Sequence, residues 1–164
     1  MNPDEEAMWS SHLPALVTCV SNTYGPVCEL GMGNFSTPLL HGMCVSQKRT
    51  LVSLESDVNW MNRFINMKSM YHEIGLSDRT DPYPNTRWSV VFLDQSREFW
   101  TRADSFRVFV ENADFIVCHD FHRENEEEMR GLLSGLRVHV TRRQEPPTLI
   151  CSKTKEIPSG LLDL

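Results

Sequence analysis

The chain contains no apolar run approaching the ~20 residues that a membrane-spanning helix needs, so a helical membrane protein is not expected. Its opening residues, Met1-Asn2-Pro3-Asp4-Glu5-Glu6, are acidic and carry no basic region ahead of an apolar stretch. They do not read as a secretory signal, and a cytoplasmic protein is expected. The five cysteines (Cys19, Cys28, Cys44, Cys118, Cys151) form no Cys-x-x-Cys pair, are odd in number and lie mostly in apolar segments. Reduced, buried thiols follow, in place of a disulfide framework or a zinc knuckle. Basic clusters are scarce as well. Arg142-Arg143 and Lys153/Lys155 are the densest, each sits near acidic residues, and the formal net charge is −6. A chain with no basic stripe to neutralise phosphates is a poor candidate for a nucleic-acid partner. Internal repeats and low-complexity tracts are also missing.

What remains is ordinary globular material: 164 residues, 40% hydrophobic and 23% charged, enough for one buried core. We read residues 1–158 as a single domain, with 1–10 as an acidic leader and 159–164 as a C-terminal tail. Short apolar runs alternate with helical periodicity, which argues for an α/β fold with a largely parallel sheet. Helices are expected over 11–22, 39–46 (Thr37 as N-cap, Pro38 at the first position), 57–67, 99–112 and 124–133. Strands are expected over 27–30, 50–54, 71–76, 88–93, 114–118, 136–141 and 148–152. The link between the last two is too short for a helical crossover, so they should pair antiparallel.

The first strand runs into Glu29-Leu30-Gly31-Met32-Gly33 and then a helix. Glycines there let the chain turn sharply and let a ligand approach the backbone, while the helix start offers unpaired N–H groups. Glu29 beside the glycines would repel a pyrophosphate but attract an ammonium group. The position that should be Gly or Ala in a dinucleotide fingerprint is Ser36. Both features turn the expected ligand from NAD toward S-adenosylmethionine. Glu55 ends the second strand, about 20 residues past the glycines, where a carboxylate accepts hydrogen bonds from ribose hydroxyls. An alternative for Glu55 is a solvated helix cap shared with Ser56 and Asp57.

Ligands of parallel α/β sheets lie at the carboxyl ends of the strands. Asp94 and His119-Asp120 end two adjacent strands there. Such a group serves divalent-metal ligation, general-base catalysis or recognition of an acceptor. Without a metal, His119 or Asp120 is the base; the bland alternative is that the pair caps the following segment. His119-x-x-His122 is a weaker metal pair. Trp9, His12 and Trp100 can line or cover a pocket, 124–128 reads as a solvated helix face, and Leu161-Leu162-Asp163-Leu164 is similar to a short adaptor-binding peptide.

Glu29-x-Gly31-x-Gly33, Glu55 after the second strand and Val90-Val91-Phe92-Leu93-Asp94 together resemble a class I S-adenosylmethionine-dependent methyltransferase, over roughly residues 11–155. The resemblance implies a Rossmann-like three-layer sandwich, mostly parallel with a final antiparallel strand. By that likeness Glu29, Gly31 and Gly33 contact the methionine part, with Ser36 and Thr37 at the helix start. Glu55 takes the ribose, Asp78 lies near the adenine amino group, and Asp94 borders the cofactor. Asp94, His119 and Asp120 also resemble, in part, the metal positions of catechol O-methyltransferase-like enzymes, which usually carry Asp-Asn where this chain has His-Asp. Mg²⁺ prefers oxygen donors, so the histidine leaves Mn²⁺, Zn²⁺ or no metal open. The implied activity is methyl transfer to an oxygen or nitrogen of a small-molecule acceptor. The acceptor would be selected by the loops 77–87 and 95–102 or by a second subunit in a homodimer. A non-catalytic nucleoside-binding protein, or a subunit of a larger assembly, is the alternative. An NAD-dependent oxidoreductase remains only if Glu29 points away from the ligand.

Overall fold

The computed structural model describes residues 8–77, 83, 85–95, 101–122, 127–142 and 145–161. Seven strands, β1 (Val27–Leu30), β2 (Leu51–Glu55), β3 (His72–Leu76), β4 (Trp88–Leu93), β5 (Ala113–Cys118), β6 (Arg137–Val140) and β7 (Leu149–Ser152), form one sheet. The strand order is β3-β2-β1-β4-β5-β7-β6. Strands β1 to β5 are parallel, and β7 runs against both β5 and β6. This is the expected mostly parallel sheet.

Two-sided burial explains the strand composition. β1, β4 and β7 are buried along their whole length, so they read as near-continuous apolar runs rather than alternating ones. Alternate residues still serve different faces. Cys28, Leu30, Val91, Leu93, Ile116 and Cys118 join the core around Trp88, Phe106 and Phe109. Val27, Val90, Phe92, Phe115 and Val117 join the opposite core, with Leu16, Val20 and Leu40. The helices α1 (Leu13–Ser21) and α2 (Ser36–Ser46) supply that second face, and α4 (Arg102–Phe109) covers the first. All five cysteines are buried, and none is in a disulfide among the described residues. Burial raises the thiols of Cys19 and Cys118 to about 12 and that of Cys44 to about 11, so they behave as small apolar groups.

Several boundaries differ from the sequence expectation. α2 begins at Ser36, and Thr37 lies inside its first turn instead of capping it. The helix expected over 57–67 breaks into α3 (Val58–Asn62) and a 3₁₀ turn, Ile65–Met67, where Phe64 turns inward to pack with Met32 and Ile74. α4 is shorter than expected, because Thr101 and Asp104 form a capping box that fixes its start. Of the charged helix expected over 124–133, residues 127–129 are helical and the chain then turns, with 123–126 outside the described residues. The tail expected from 159 is partly packed. Ser159–Leu161 forms a 3₁₀ turn, and Leu161 is fully buried in the α1–α2 core. Among the described residues no helix is long and apolar enough to cross a membrane.

Arg49 locks the entry to this framework. It is 5% exposed, and its guanidinium donates to the carbonyls of Val20 (2.8 Å), Thr23 (2.9 Å) and Gly25 (2.8 Å), tying the end of α1 to the start of β1. Arg49→Met would remove these donors, leaving Val20 O with Thr23 alone and stripping the guanidinium from Thr23 O and Gly25 O. Urea unfolding of that variant is expected to show a loss of about 2–4 kcal/mol with an unchanged slope.

Candidate functional site

The sheet order reverses between β1 and β4, and the loop after β1 opens at that switch point. Gly31 takes φ +85°, and a Cβ there would sit 2.5 Å from the Asp94 backbone, so only glycine fits. Hydrogen bonds fix the loop from both sides. Gly31 N–H donates to Leu54 O (2.9 Å), and Asp94 N–H donates to Leu30 O (2.8 Å). Met32 N–H donates to Glu55 Oε2 (3.0 Å), while the Trp60 indole donates to Met32 O (2.6 Å).

Glu29 lies behind this loop. It is fully buried on the α1–α2 face and does not reach the cavity. Thr37 Oγ1 accepts from Gly33 N–H (2.9 Å), so its own proton goes to Glu29 Oε1 (3.1 Å). Ser53 Oγ donates to Glu29 Oε2 (2.6 Å). A chain continues outward from Ser53 through His72 Nε2 (2.9 Å) and from His72 Nδ1 to His41 Nδ1 (3.0 Å). With Ser53 donating to an ionised Glu29, His72 Nε2–H must donate to Ser53 and His41 Nδ1–H to His72. When Glu29 carries the proton, every link can reverse. Burial raises the Glu29 carboxyl to about 7, against the pull of its hydroxyl partners. Burial and the neighbouring His41 lower His72 to about 4, keeping it neutral.

The cavity itself has a volume of about 850 Å³. Gly31, Met32 and Gly33 form one wall, with Glu55 and Trp60 beside them; Asp94, Arg102 and Asp120 form another, and Trp9 and His12 close it. Glu55 Oε1 also accepts from the backbone N–H groups of Ser56 (2.7 Å) and Asp57 (3.1 Å), so the carboxylate is held in place by the chain around it. Asp57, in turn, caps α3.

At the far wall Arg102 is 8% exposed and spans two carboxylates, 3.0 Å from Asp94 Oδ1 and 3.4 Å from Asp120 Oδ2. Asp120 holds a left-handed φ of 51°, uncommon for a non-glycine residue and a mark of local constraint. His119 is 2% exposed and sits behind this wall, with Nδ1 3.2 Å from Asp94 Oδ1 and Nε2 3.0 Å from Ser11 Oγ. The His12 ring packs against Phe92 and His119, and burial lowers it to about 3.

Of the residues expected from sequence, Gly31, Gly33, Glu55, Asp94 and Asp120 meet at one cavity, as do Trp9 and His12. Glu29, Ser36, Thr37 and His119 do not line it. The first three are fully buried beneath the loop, and Glu29 meets the loop through Thr37. Asp78 and Trp100 lie outside the described residues. His122 stands 4.0 Å from Asp120 and joins no three-donor cluster among the described residues. Arg102, Trp60, Ser53 and His72 were not singled out from sequence. An arginine opening a helix, or a histidine inside a strand, carries no local pattern that marks its partners.

Neither a protein-family model nor a curated protein sequence matches the chain. Solved structures do. A Podospora anserina methyltransferase with bound S-adenosylhomocysteine superposes with TM-score 0.68 at 11% identity, covering 94% of this chain and 83% of that one. An S-adenosylmethionine-dependent methyltransferase from Aquifex aeolicus gives 0.62 at 14% identity, over 92% of each chain. Human methyltransferase-like protein 13, in complex with S-adenosylhomocysteine, gives 0.63 at 14% identity over 99% and 88%. The fold is the Rossmann-like methyltransferase fold. At such identities the likeness is one of architecture, and it places the expected sandwich and its antiparallel strand on firm ground.

The Glu29 carboxyl yields a signed pH dependence. Its folded value of about 7 lies above the reference of 4.5, so between those pH values the folded chain binds the extra proton. Its contribution to stability is present below 4.5 and is lost as pH rises through 7, by about 3 kcal/mol in all. His12 and His72, lowered in the fold, act oppositely: their contribution is lost as pH falls below 6.5. Glu29→Gln removes only the first effect. Urea unfolding from pH 4.5 to 8 should therefore show the variant gaining on the parent as pH rises, whereas a constant difference would refute the raised carboxyl.

Proposed function

We propose that the chain is an S-adenosylmethionine-dependent methyltransferase acting on an oxygen of a small-molecule acceptor. The observation that carries this reading is that the glycine loop, Glu55 and the strand-end carboxylates Asp94 and Asp120 share one cavity at the sheet's switch point. Two fold neighbours hold S-adenosylhomocysteine and a third is described as S-adenosylmethionine-dependent, which supports the same ligand class. A cavity of about 850 Å³ suits a nucleoside of that size with a compact acceptor.

In this reading the backbone of Gly31 to Gly33 receives the amino-acid end, and Glu55 accepts from the ribose hydroxyls. Glu29 acts from beneath, shaping the loop through Thr37 rather than by touching the ligand. That removes the direct-contact argument against NAD. Ser36 in place of the third glycine, and an acidic far wall, still disfavour a dinucleotide. The cofactor supplies a methyl group already activated on a sulfonium, so the chain's work is alignment and removal of one proton. Asp120, on the cavity wall, takes the proton from the acceptor hydroxyl. His119 stands behind Asp94 and acts as a positioning residue, not as the base. Arg102 orients both carboxylates. Trp9 and His12 shield the site from water.

A Mg²⁺ ion bridging Asp94 and Asp120, as the catechol O-methyltransferase-like likeness implies, does not fit, because Arg102 already occupies the space between those carboxylates. The same pairing favours one alternative: a nucleoside-binding protein without turnover, its carboxylates neutralised by arginine.

Calorimetric titration with S-adenosylmethionine, S-adenosylhomocysteine and NAD tests the reading. Heat is expected with the two sulfur nucleosides and none with NAD, and their failure to bind would sink the proposal. Glu55→Ala should weaken binding by about tenfold or more, since two hydrogen bonds to a charged acceptor are lost; unchanged affinity removes the ribose assignment. Asp120→Asn should lower kcat about a hundredfold with little change in nucleoside affinity. Binding without methyl transfer to any hydroxylated acceptor supports the binding-protein alternative.

A further inference from the structure

We propose that His12, Asp94 and His119 form a three-donor site for a first-row transition-metal dication of the Zn²⁺ class, set into the wall of the cavity. The argument begins with proton accounting. Ser11 Oγ stands 2.9 Å from the carbonyl oxygen of Pro146 and 3.0 Å from His119 Nε2. A carbonyl only accepts, so the single hydroxyl proton of Ser11 goes to Pro146, and His119 Nε2–H donates to Ser11. That leaves His119 Nδ1 facing Asp94 Oδ1, 3.2 Å away. A ring nitrogen and a carboxylate oxygen that close are bridged by a positive centre, either a proton on Nδ1 or a metal ion.

His12 supplies the second, independent observation. It is 2% exposed, and neither ring nitrogen has a hydrogen-bond partner among the described residues. Buried polar atoms are rarely left unpaired, and an ion is one of the standard explanations. One ligand atom from each of His12, Asp94 and His119 lies within 4.8 Å of the others, and an ion at ~2.1 Å from all three holds each pair within ~4.2 Å, so binding draws the three together. Two donors 3.2 Å apart, each at ~2.1 Å from an ion, subtend roughly 100° there, an angle that tetrahedral and octahedral coordination both accept.

The donor set chooses the ion. Two imidazoles and one carboxylate suit Zn²⁺, Fe²⁺, Co²⁺ or Ni²⁺, whereas Mg²⁺ takes oxygen donors and keeps its waters. Three protein ligands leave a coordination position open, and His12 and Asp94 both line the cavity, so that position faces the space where an acceptor would stand. Outside the three donors, Ser11 accepts from His119 Nε2–H, Arg102 anchors Asp94, and Asp120 Oδ1 stands 3.8 Å from His119 Nδ1. The metal site stands on this geometry alone and does not depend on the methyltransferase reading.

The test uses the full untagged chain, stripped with chelator, without any nucleoside present. Titration with Zn²⁺ should show one tight equivalent, and titration with Mg²⁺ none. Co²⁺ should give visible d–d absorption without the intense sulfur charge-transfer band that a cysteine ligand produces. His12→Ala and His119→Ala should each weaken Zn²⁺ binding by more than the roughly hundredfold loss typical of an outer-shell change. His122→Ala, which removes an exposed imidazole outside the three donors, should leave it unchanged, and circular dichroism confirms that each variant folds. Absence of Zn²⁺ binding to the folded parent overturns the proposal and leaves a proton as the bridging cation. Binding that survives His12→Ala but is lost in His72→Ala also overturns it, placing the metal at the His41–His72 pair.

Discussion

A carboxylate with no access to water, at the end of a central strand, constrains the structure around it. An ionised side chain in that position is costly unless its oxygens are satisfied. Glu29 answers the requirement with two hydroxyls from two different elements, Thr37 at the start of α2 and Ser53 in β2. The same hydroxyl of Thr37 receives the Gly33 N–H, so the glycine loop is fastened to the strand below it by one shared group. Loop, helix start and neighbouring strand therefore form a unit whose geometry depends on the state of one carboxyl. The chain through His72 to His41 lets that state change without opening the loop.

This arrangement sets Glu29 apart from the loop residues with which its spacing groups it. The spacing Glu-x-Gly-x-Gly marks the residue, but its facing follows from strand alternation: Cys28 and Leu30 point to the α4 core, and Glu29 points with Val27 toward α1 and α2. An acid on a fully buried strand must then be a packing element as much as a contact. Thr37 tells the same story. Read locally it is a helix cap, yet its hydroxyl is committed to the loop, and the helix starts one residue earlier.

The fold was largely legible because the strands declare themselves. Val27–Leu30 and Trp88–Leu93 are near-continuous apolar runs, broken by Glu29 and Ser89, with turn residues at their ends, and two-sided burial gives that composition. Strand-end residues followed from the same pattern, which is why Glu55, Asp94 and Asp120 were found. Helix lengths were less legible. The break at Phe64 answers to a tertiary contact with Met32 and Ile74, and the start of α4 answers to a capping box that competes with the apolar periodicity. Ser11 and His12 lie far from Asp94 in sequence, Arg102 stands on the helix that follows its strand, and their meeting is a product of topology that no local spacing encodes.

The two walls of the cavity differ in chemistry for a structural reason. The side built by β1 and β2 ends in glycines and in Glu55, a carboxylate already held by backbone N–H groups, so it offers fixed donors and acceptors that need no counter-ion. The side built by β4 and β5 ends in Asp94 and Asp120, and Arg102 stands between them as their shared cation. Behind them His119 joins Ser11 through Nε2 and faces Asp94 through Nδ1, so what lies between Nδ1 and Oδ1 decides how Asp94 is held. A proton there makes the wall an ion-paired one, whereas a metal ion makes it a coordination site, and the two leave different signatures on titration.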